Sequence, residues 1–126
     1  MKTVINTKQA PAPIGPYNQA VKAGGHLYVS GQIPLSPESG ELVQGSVSDE
    51  AQQVFKNLEA VLSAAEYSFS DVVKTTIFLR NMDDFAAVNA VYAEYFTENA
   101  PARETVAVAG LPKNVHVEIS LIAWKA

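Results

Sequence analysis

The sequence predicts an α/β fold, a mixed β-sheet with two α-helices laid on one of its faces. Three observations carry that expectation. Apolar residues between Ser48 and Glu66 recur at the three-and-four spacing of one helical face. Asp71 to Arg80 and Val115 to Trp124 are runs of strand length, rich in side chains that suit a pleated surface. Prolines and glycines punctuate the chain between such segments, in the order strand hairpin, helix, strand, helix, strand hairpin.

Residues Ala10 to Pro16 hold three prolines and a glycine, which fix extended or turn conformations and withhold amide donors, so this stretch reads as a shaped loop. Tyr17 to Lys22 and His26 to Ile33 then flank Ala23-Gly24-Gly25, a point where glycine permits the positive φ of a tight hairpin. In the second run Leu27, Val29 and Ile33 alternate with Tyr28, Ser30 and Gln32, placing Ser30 and Gly31 near a strand's end. Pro34 to Gly40 is a turn-rich connection.

The first helix, Ser48 to Glu66, packs Ala51, Val54, Phe55, Leu58, Val61, Leu62 and Ala65. Asp71 to Arg80 is expected to be a central strand. Asn81 can cap a second helix, with Asp83 and Asp84 at its positive end and Phe85, Val88, Tyr92 and Phe96 as its packed stripe. Pro101 interrupts that helix. Two last strands, Arg103 to Ala109 and Val115 to Trp124, are expected to pair as a hairpin around Gly110 to Asn114.

Two helices cover only one face of such a sheet. Val72-Val73 and Ile77-Phe78-Leu79 nevertheless put apolar side chains on both. Association through the uncovered face is the economical answer.

A chain of 126 residues fits one domain, expected to span 1–126. Its 48% hydrophobic and 17% charged residues are those of a folded, soluble protein. The net charge of −4 supplies no basic field for a phosphate backbone, so nucleic acid is an unfavoured partner. With no cysteine, thiolate catalysis and cysteine metal sites are excluded, and His26 and His116 are a poor starting set for zinc. No apolar run has the length of a membrane helix or a signal-peptide core, so a cytoplasmic location is expected.

Phosphate-loop, dinucleotide-binding, zinc-protease and serine-hydrolase motifs are missing, which leaves the chemistry to a few polar side chains. Arg103 and Glu118 draw attention as charges among the apolar residues of the final strands. A guanidinium matches a carboxylate ligand, and a carboxylate can deprotonate a water. The plainer alternative is a cross-strand ion pair at a sheet edge. Asn89 falls near the packed stripe of the second helix, where it can face a ligand or bond nearby backbone. Tyr17 can close a pocket or fill the core, and Ser30 can line a site or bond the strand end. His116 shares strand parity with Glu118, and a solvated ring is its commoner fate.

Together these segments resemble the RidA (YjgF) family over essentially the whole chain. The resemblance rests on Ile14-Gly15-Pro16-Tyr17-Asn18-Gln19-Ala20, Val29-Ser30-Gly31-Gln32-Ile33-Pro34, Pro101-Ala102-Arg103-Glu104-Thr105-Val106, Leu111-Pro112-Lys113 and Val117-Glu118-Ile119, in that order and spacing. It implies a chorismate-mutase-like fold in a homotrimer whose sheets form a central barrel, with active sites between subunits. It implies hydrolysis of 2-enamine and 2-imine acids, such as 2-aminoacrylate, to 2-keto acids and ammonia, with no cofactor and no metal. Arg103 would grip the substrate carboxylate and Glu118 would hold or activate water. Tyr17, Ser30, Gly31 and Asn89 would line the cleft, and the backbone near Thr105 would meet the imine nitrogen. Thr105 stands where some members have cysteine, and threonine has no thiol chemistry. A module that binds keto acids or amino acids without converting them is the other functional reading.

Overall fold

The computed structural model describes residues 1–126, and its chain forms six strands and two helices: β1 Lys2–Ile5, β2 Ala20–Ala23, β3 His26–Gln32, α1 Val47–Ala64, β4 Val72–Leu79, α2 Phe85–Tyr95, β5 Ala102–Ala107 and β6 Val117–Trp124. The strands make one sheet in the order β1-β2-β3-β6-β4-β5. Only β4 and β5 run parallel; every other neighbouring pair is antiparallel.

Gly24 and Gly25 close the β2–β3 hairpin, with Ala23 opposite His26 and Gly24 at φ +60°. The first strand of that hairpin begins at Ala20 rather than Tyr17, because the proline loop carries through Tyr17 before pairing starts. β1 is an additional strand at the sheet edge. It is four residues long and mostly exposed, so its sequence carries almost no apolar alternation.

α1 starts where the Ser46 hydroxyl accepts the Asp49 amide at 3.1 Å, a cap whose loss typically costs about 1 kcal/mol. Its face of Ala51, Val54, Phe55, Leu58, Val61 and Leu62 is almost fully buried. Two polar residues share that face: Glu50, and Asn57, whose amide donates to the carbonyls of Ile33 and Leu35. Asn81 caps a short 3₁₀ turn, Met82–Asp84, that leads into α2. α2 ends at Tyr95, well before Pro101.

The core lies between the helices and one sheet face. Leu27 and Val29 of β3, Ile77 and Leu79 of β4, and Val117, Ile119 and Leu121 of β6 point into it. Phe55 stands at its centre, stacked on Tyr95 at 4.5 Å between centroids and edge-on to Tyr92 and Phe96. The opposite sheet face has no helix on it and leaves Tyr28, Val73 and Trp124 each nearly half exposed.

The expected final hairpin does not form. β5 pairs parallel with β4, Thr75 opposite Arg103 and Ile77 opposite Thr105, after the α2 crossover. β6 is instead inserted between β3 and β4, with Phe78 opposite Glu118. Arg103 and Glu118 therefore sit on strands separated by β4.

Candidate active site

Strand parity sends Arg103 and Glu118 to opposite faces of the sheet. Arg103 shares a level with the fully buried Thr75 and reaches toward α2 on the helix side. Glu118 lies between the buried Val117 and Ile119 and so turns to the open side. No ion pair joins them. An edge pair does exist on β5, made by the next residue: Glu104 binds Lys74 at 3.1 Å and also accepts from the Thr76 hydroxyl. Those two partners hold the Glu104 carboxyl below its ordinary pKa.

The helix-side group consists of Arg103, Asn89 and Thr105, which line one crevice with Phe85, Val88, Ile77 and Leu79. Arg103 donates through Nη1 to Asn89 Oδ1 at 2.8 Å, so Asn89 bonds a side chain rather than backbone. The guanidinium carbon lies 4.7 Å from the Tyr92 ring centroid and 5.7 Å from that of Phe85. Arg103 has no carboxylate partner in the chain, which leaves most of its donor fork available to an anion. Thr105 Oγ1 is buried without a hydrogen-bond partner.

The open-side group consists of Glu118, Gly31, Ser30 and Tyr17. A β-bulge interrupts β3 between Val29 and Gln32, and at Gly31 the backbone passes directly beneath the Glu118 side chain. A Cβ at Gly31 would lie 2.8 Å from Glu118 Cδ and closer still to Oε2. Burial raises the Glu118 pKa, and no cation or hydrogen-bond donor opposes the shift. Ser30 fastens the bulge by donating to the Asn18 carbonyl at 2.6 Å. Tyr17 is exposed rather than core-filling; its hydroxyl accepts from the Ile14 amide at 3.3 Å, and it lines a shallow cleft with Gly31, Ile14 and Gln32.

Thus the sequence-selected residues fall into two groups on opposite faces of the sheet, each holding a charged side chain with no ion-pair partner. A cavity of about 580 Å³ beside residues 6–8 and Gln19 contains none of them. His116 keeps about a third of its side chain in solvent, as expected, but both its ring nitrogens have partners. Its backbone amide donates to Glu50 Oε1 at 2.9 Å, its Nδ1 meets Glu50 Oε2 at 2.5 Å, and Arg80 meets Nε2 at 2.5 Å. Because Arg80 can only donate, Nε2 accepts and the ring proton sits on Nδ1, facing Glu50. Sequence reasoning missed Glu50, although its place four residues before Val54 sets it on the apolar stripe of α1.

Comparisons with known proteins agree with this architecture. A family model described as Endoribonuclease L-PSP matches residues 7–125. The chain is 54% identical over 125 residues to a RutC family protein of Pyrococcus horikoshii, covering 99% of each. It is 52% identical to a protein of Dermatophagoides farinae named 2-iminobutanoate/2-iminopropanoate deaminase, covering 96% of this chain and 94% of the other. The crystal structure of the YjgF gene product from E. coli superimposes with a TM-score of 0.92 at 46% identity, covering 98% and 99% of the two chains. With a six-stranded mixed sheet and two helices matching such structures, the chain belongs to the RidA (YjgF) family.

Proposed function

We propose that this protein is a 2-iminobutanoate/2-iminopropanoate deaminase whose active site is completed by two copies of the chain, in a homotrimer packed through the open sheet faces. One observation carries the reading: an unpaired guanidinium and a desolvated, unpaired carboxylate project from opposite faces of one sheet. A single chain cannot bring them to one substrate. Neighbouring copies can, with Arg103, Asn89 and Thr105 from one and Glu118, Gly31, Ser30 and Tyr17 from the next. The exposed Tyr28, Val73 and Trp124 support burial of the open face against a partner.

In this reading Arg103 holds the substrate carboxylate through paired charge-assisted hydrogen bonds. An enamine acid first takes a proton from solvent at its β carbon to become the iminium form of the imine. Glu118 then accepts a proton from water as the water oxygen bonds to the imine carbon, giving a carbinolamine. Glu118 returns that proton to nitrogen, the C–N bond breaks as the hydroxyl oxygen forms C=O and releases its own proton, which offsets the one taken up at the β carbon, and ammonia leaves a 2-keto acid. Every atom comes from the imino acid and one water, so the residues themselves supply the chemistry. The raised pKa of Glu118 suits a group that must take up a proton near neutrality.

Other observations bear on the choice. The relative named as a deaminase, at 52% identity, supports this activity. RNA cleavage by paired histidines finds little support, since His26 stacks on Tyr28 while His116 is held by Glu50 and Arg80. The test is to generate 2-aminoacrylate with a dehydratase and follow keto-acid release. Acceleration by wild type and its loss in Arg103→Ala is the expected result. Binding of 2-ketobutyrate by calorimetry without any acceleration would identify a ligand-binding module instead.

A further inference from the structure

Arg103 carries a full charge at a sheet edge, yet no acidic side chain holds it. Its orientation comes from elsewhere. The ring of Tyr92 lies under the guanidinium at 4.7 Å and that of Phe85 stands farther off at 5.7 Å, while Asn89 takes one N–H. Tyr92 is itself immobilised: it is 6% exposed, packs edge-on against Phe55, and its hydroxyl shares a 2.8 Å hydrogen bond with Thr75 Oγ1. Thr75 is fully buried on β4 and stands opposite Arg103 in the parallel ladder. A closed loop results, running from Arg103 through Tyr92 and Thr75 and back across the β4–β5 pairing.

We infer that Tyr92, locked by Thr75, is a positioning residue that sets the plane of the Arg103 guanidinium and keeps its fork open for a carboxylate. An acidic partner would orient the same group but would occupy the fork and compete with substrate. An aromatic face attracts the cation while leaving its in-plane N–H donors free. The face of Tyr92 thus presents a preorganised binder for the α-carboxylate of an imino acid, an inference that rests on the deaminase reading above for the identity of the ligand. Removing Arg103 abolishes turnover, whereas loosening its clamp on the non-reacting carboxylate acts equally on the ground and transition states and so raises KM more than it lowers kcat.

The ring and the hydroxyl have separable duties. Tyr92→Phe keeps the face and removes the bond to Thr75. It is expected to lower the melting temperature, because Thr75 is left buried without a partner, while KM stays within about twofold of wild type. Tyr92→Leu removes the face, and KM for the imino acid is expected to rise roughly tenfold with kcat changed by less than about threefold. A purely structural role would instead make activity follow stability in both variants.

The test pairs those kinetics with nitrogen-15 NMR of the unliganded protein, in which the Arg103 Nε–H resonance is read directly. Shielding by the Tyr92 ring is expected to shift it upfield in wild type and Tyr92→Phe, and clearly less in Tyr92→Leu, where only the more distant Phe85 ring, 5.7 Å from the guanidinium carbon, remains. An unshifted resonance in wild type overturns the inference without any variant, as does an unchanged KM in Tyr92→Leu or an equal KM defect in Tyr92→Phe. A shifted resonance in a wild type that neither turns over 2-aminoacrylate nor binds 2-ketobutyrate would leave the positioning of Arg103 standing and refute the deaminase reading alone.

Discussion

Gly31→Ala is the smallest change that should disable the open-side half-site while sparing the fold. The new methyl group would lie 2.8 Å from Glu118 Cδ and 3.0 Å from Cγ, where ordinary contact begins near 3.4 Å, and the nearer carboxylate oxygen has further to move. Gly31 has no left-handed backbone to strain, so the displacement falls on Glu118, whose carboxylate must shift by about 1 Å. A misplacement of that size at a reacting group costs on the order of a hundredfold in rate. Stability should change little, since alanine in a compatible backbone gains about 0.4–1 kcal/mol from the unfolded state. The assay is kcat/KM for 2-aminoacrylate hydrolysis beside a thermal melt, with Gly110→Ala as the control because a Cβ there meets nothing within 4 Å. Wild-type turnover in Gly31→Ala would refute the placement of Glu118 in the reaction.

Two further outcomes follow from the electrostatics. Burial raises the Glu118 pKa, so folding favours its protonated form; that contribution is complete below the unfolded-state value and is lost as pH rises through the folded one. Glu118→Gln should therefore raise the melting temperature at pH 7, with the gain fading as pH falls through the raised folded-state pKa and gone below about pH 4, while abolishing turnover. The acid limb of the wild-type kcat/KM profile should fall above the ordinary glutamate value of about 4.3; a limb at or below it would remove Glu118 as the proton acceptor. His116→Ala deprives the buried Glu50 carboxylate of one of its two donors and the Arg80 guanidinium of one of its two acceptors, the Asn114 carbonyl remaining. A loss of about 1–3 kcal/mol in denaturant titration is expected, and unchanged stability would show that the Glu50–His116–Arg80 chain does not hold α1 to the sheet.

Much of this fold is written in local patterns. α1 is legible because its apolar residues keep a helical period over five turns, and the β2–β3 hairpin because Gly24 meets a conformational demand at φ +60°. The pairing of β5 was not legible. Gly110 to Asn114 has hairpin-like turn residues, but which strand lies beside Ala102–Ala107 is settled by long-range packing: α2 covers the face shared by Thr75 and Arg103. β1 was silent because an exposed edge strand has no core face to pattern. The site shows the same division. Arg103 and Glu118 stood out as charges in apolar strands, whereas their placement on opposite faces depends on β6 lying between β3 and β4. Tyr92 looked like core because it is core; its second duty toward Arg103 emerges only in three dimensions.

The claim that two copies build each site is most directly tested by subunit complementation. Arg103→Ala and Glu118→Gln, each inactive alone, are co-expressed in equal amounts under different tags, and mixed oligomers are verified by mass. A site that takes its arginine from one copy and its glutamate from the next is intact when both donors happen to be unmutated, so random mixing should restore about a quarter of wild-type turnover. Verified mixed oligomers with no turnover would contradict the shared site.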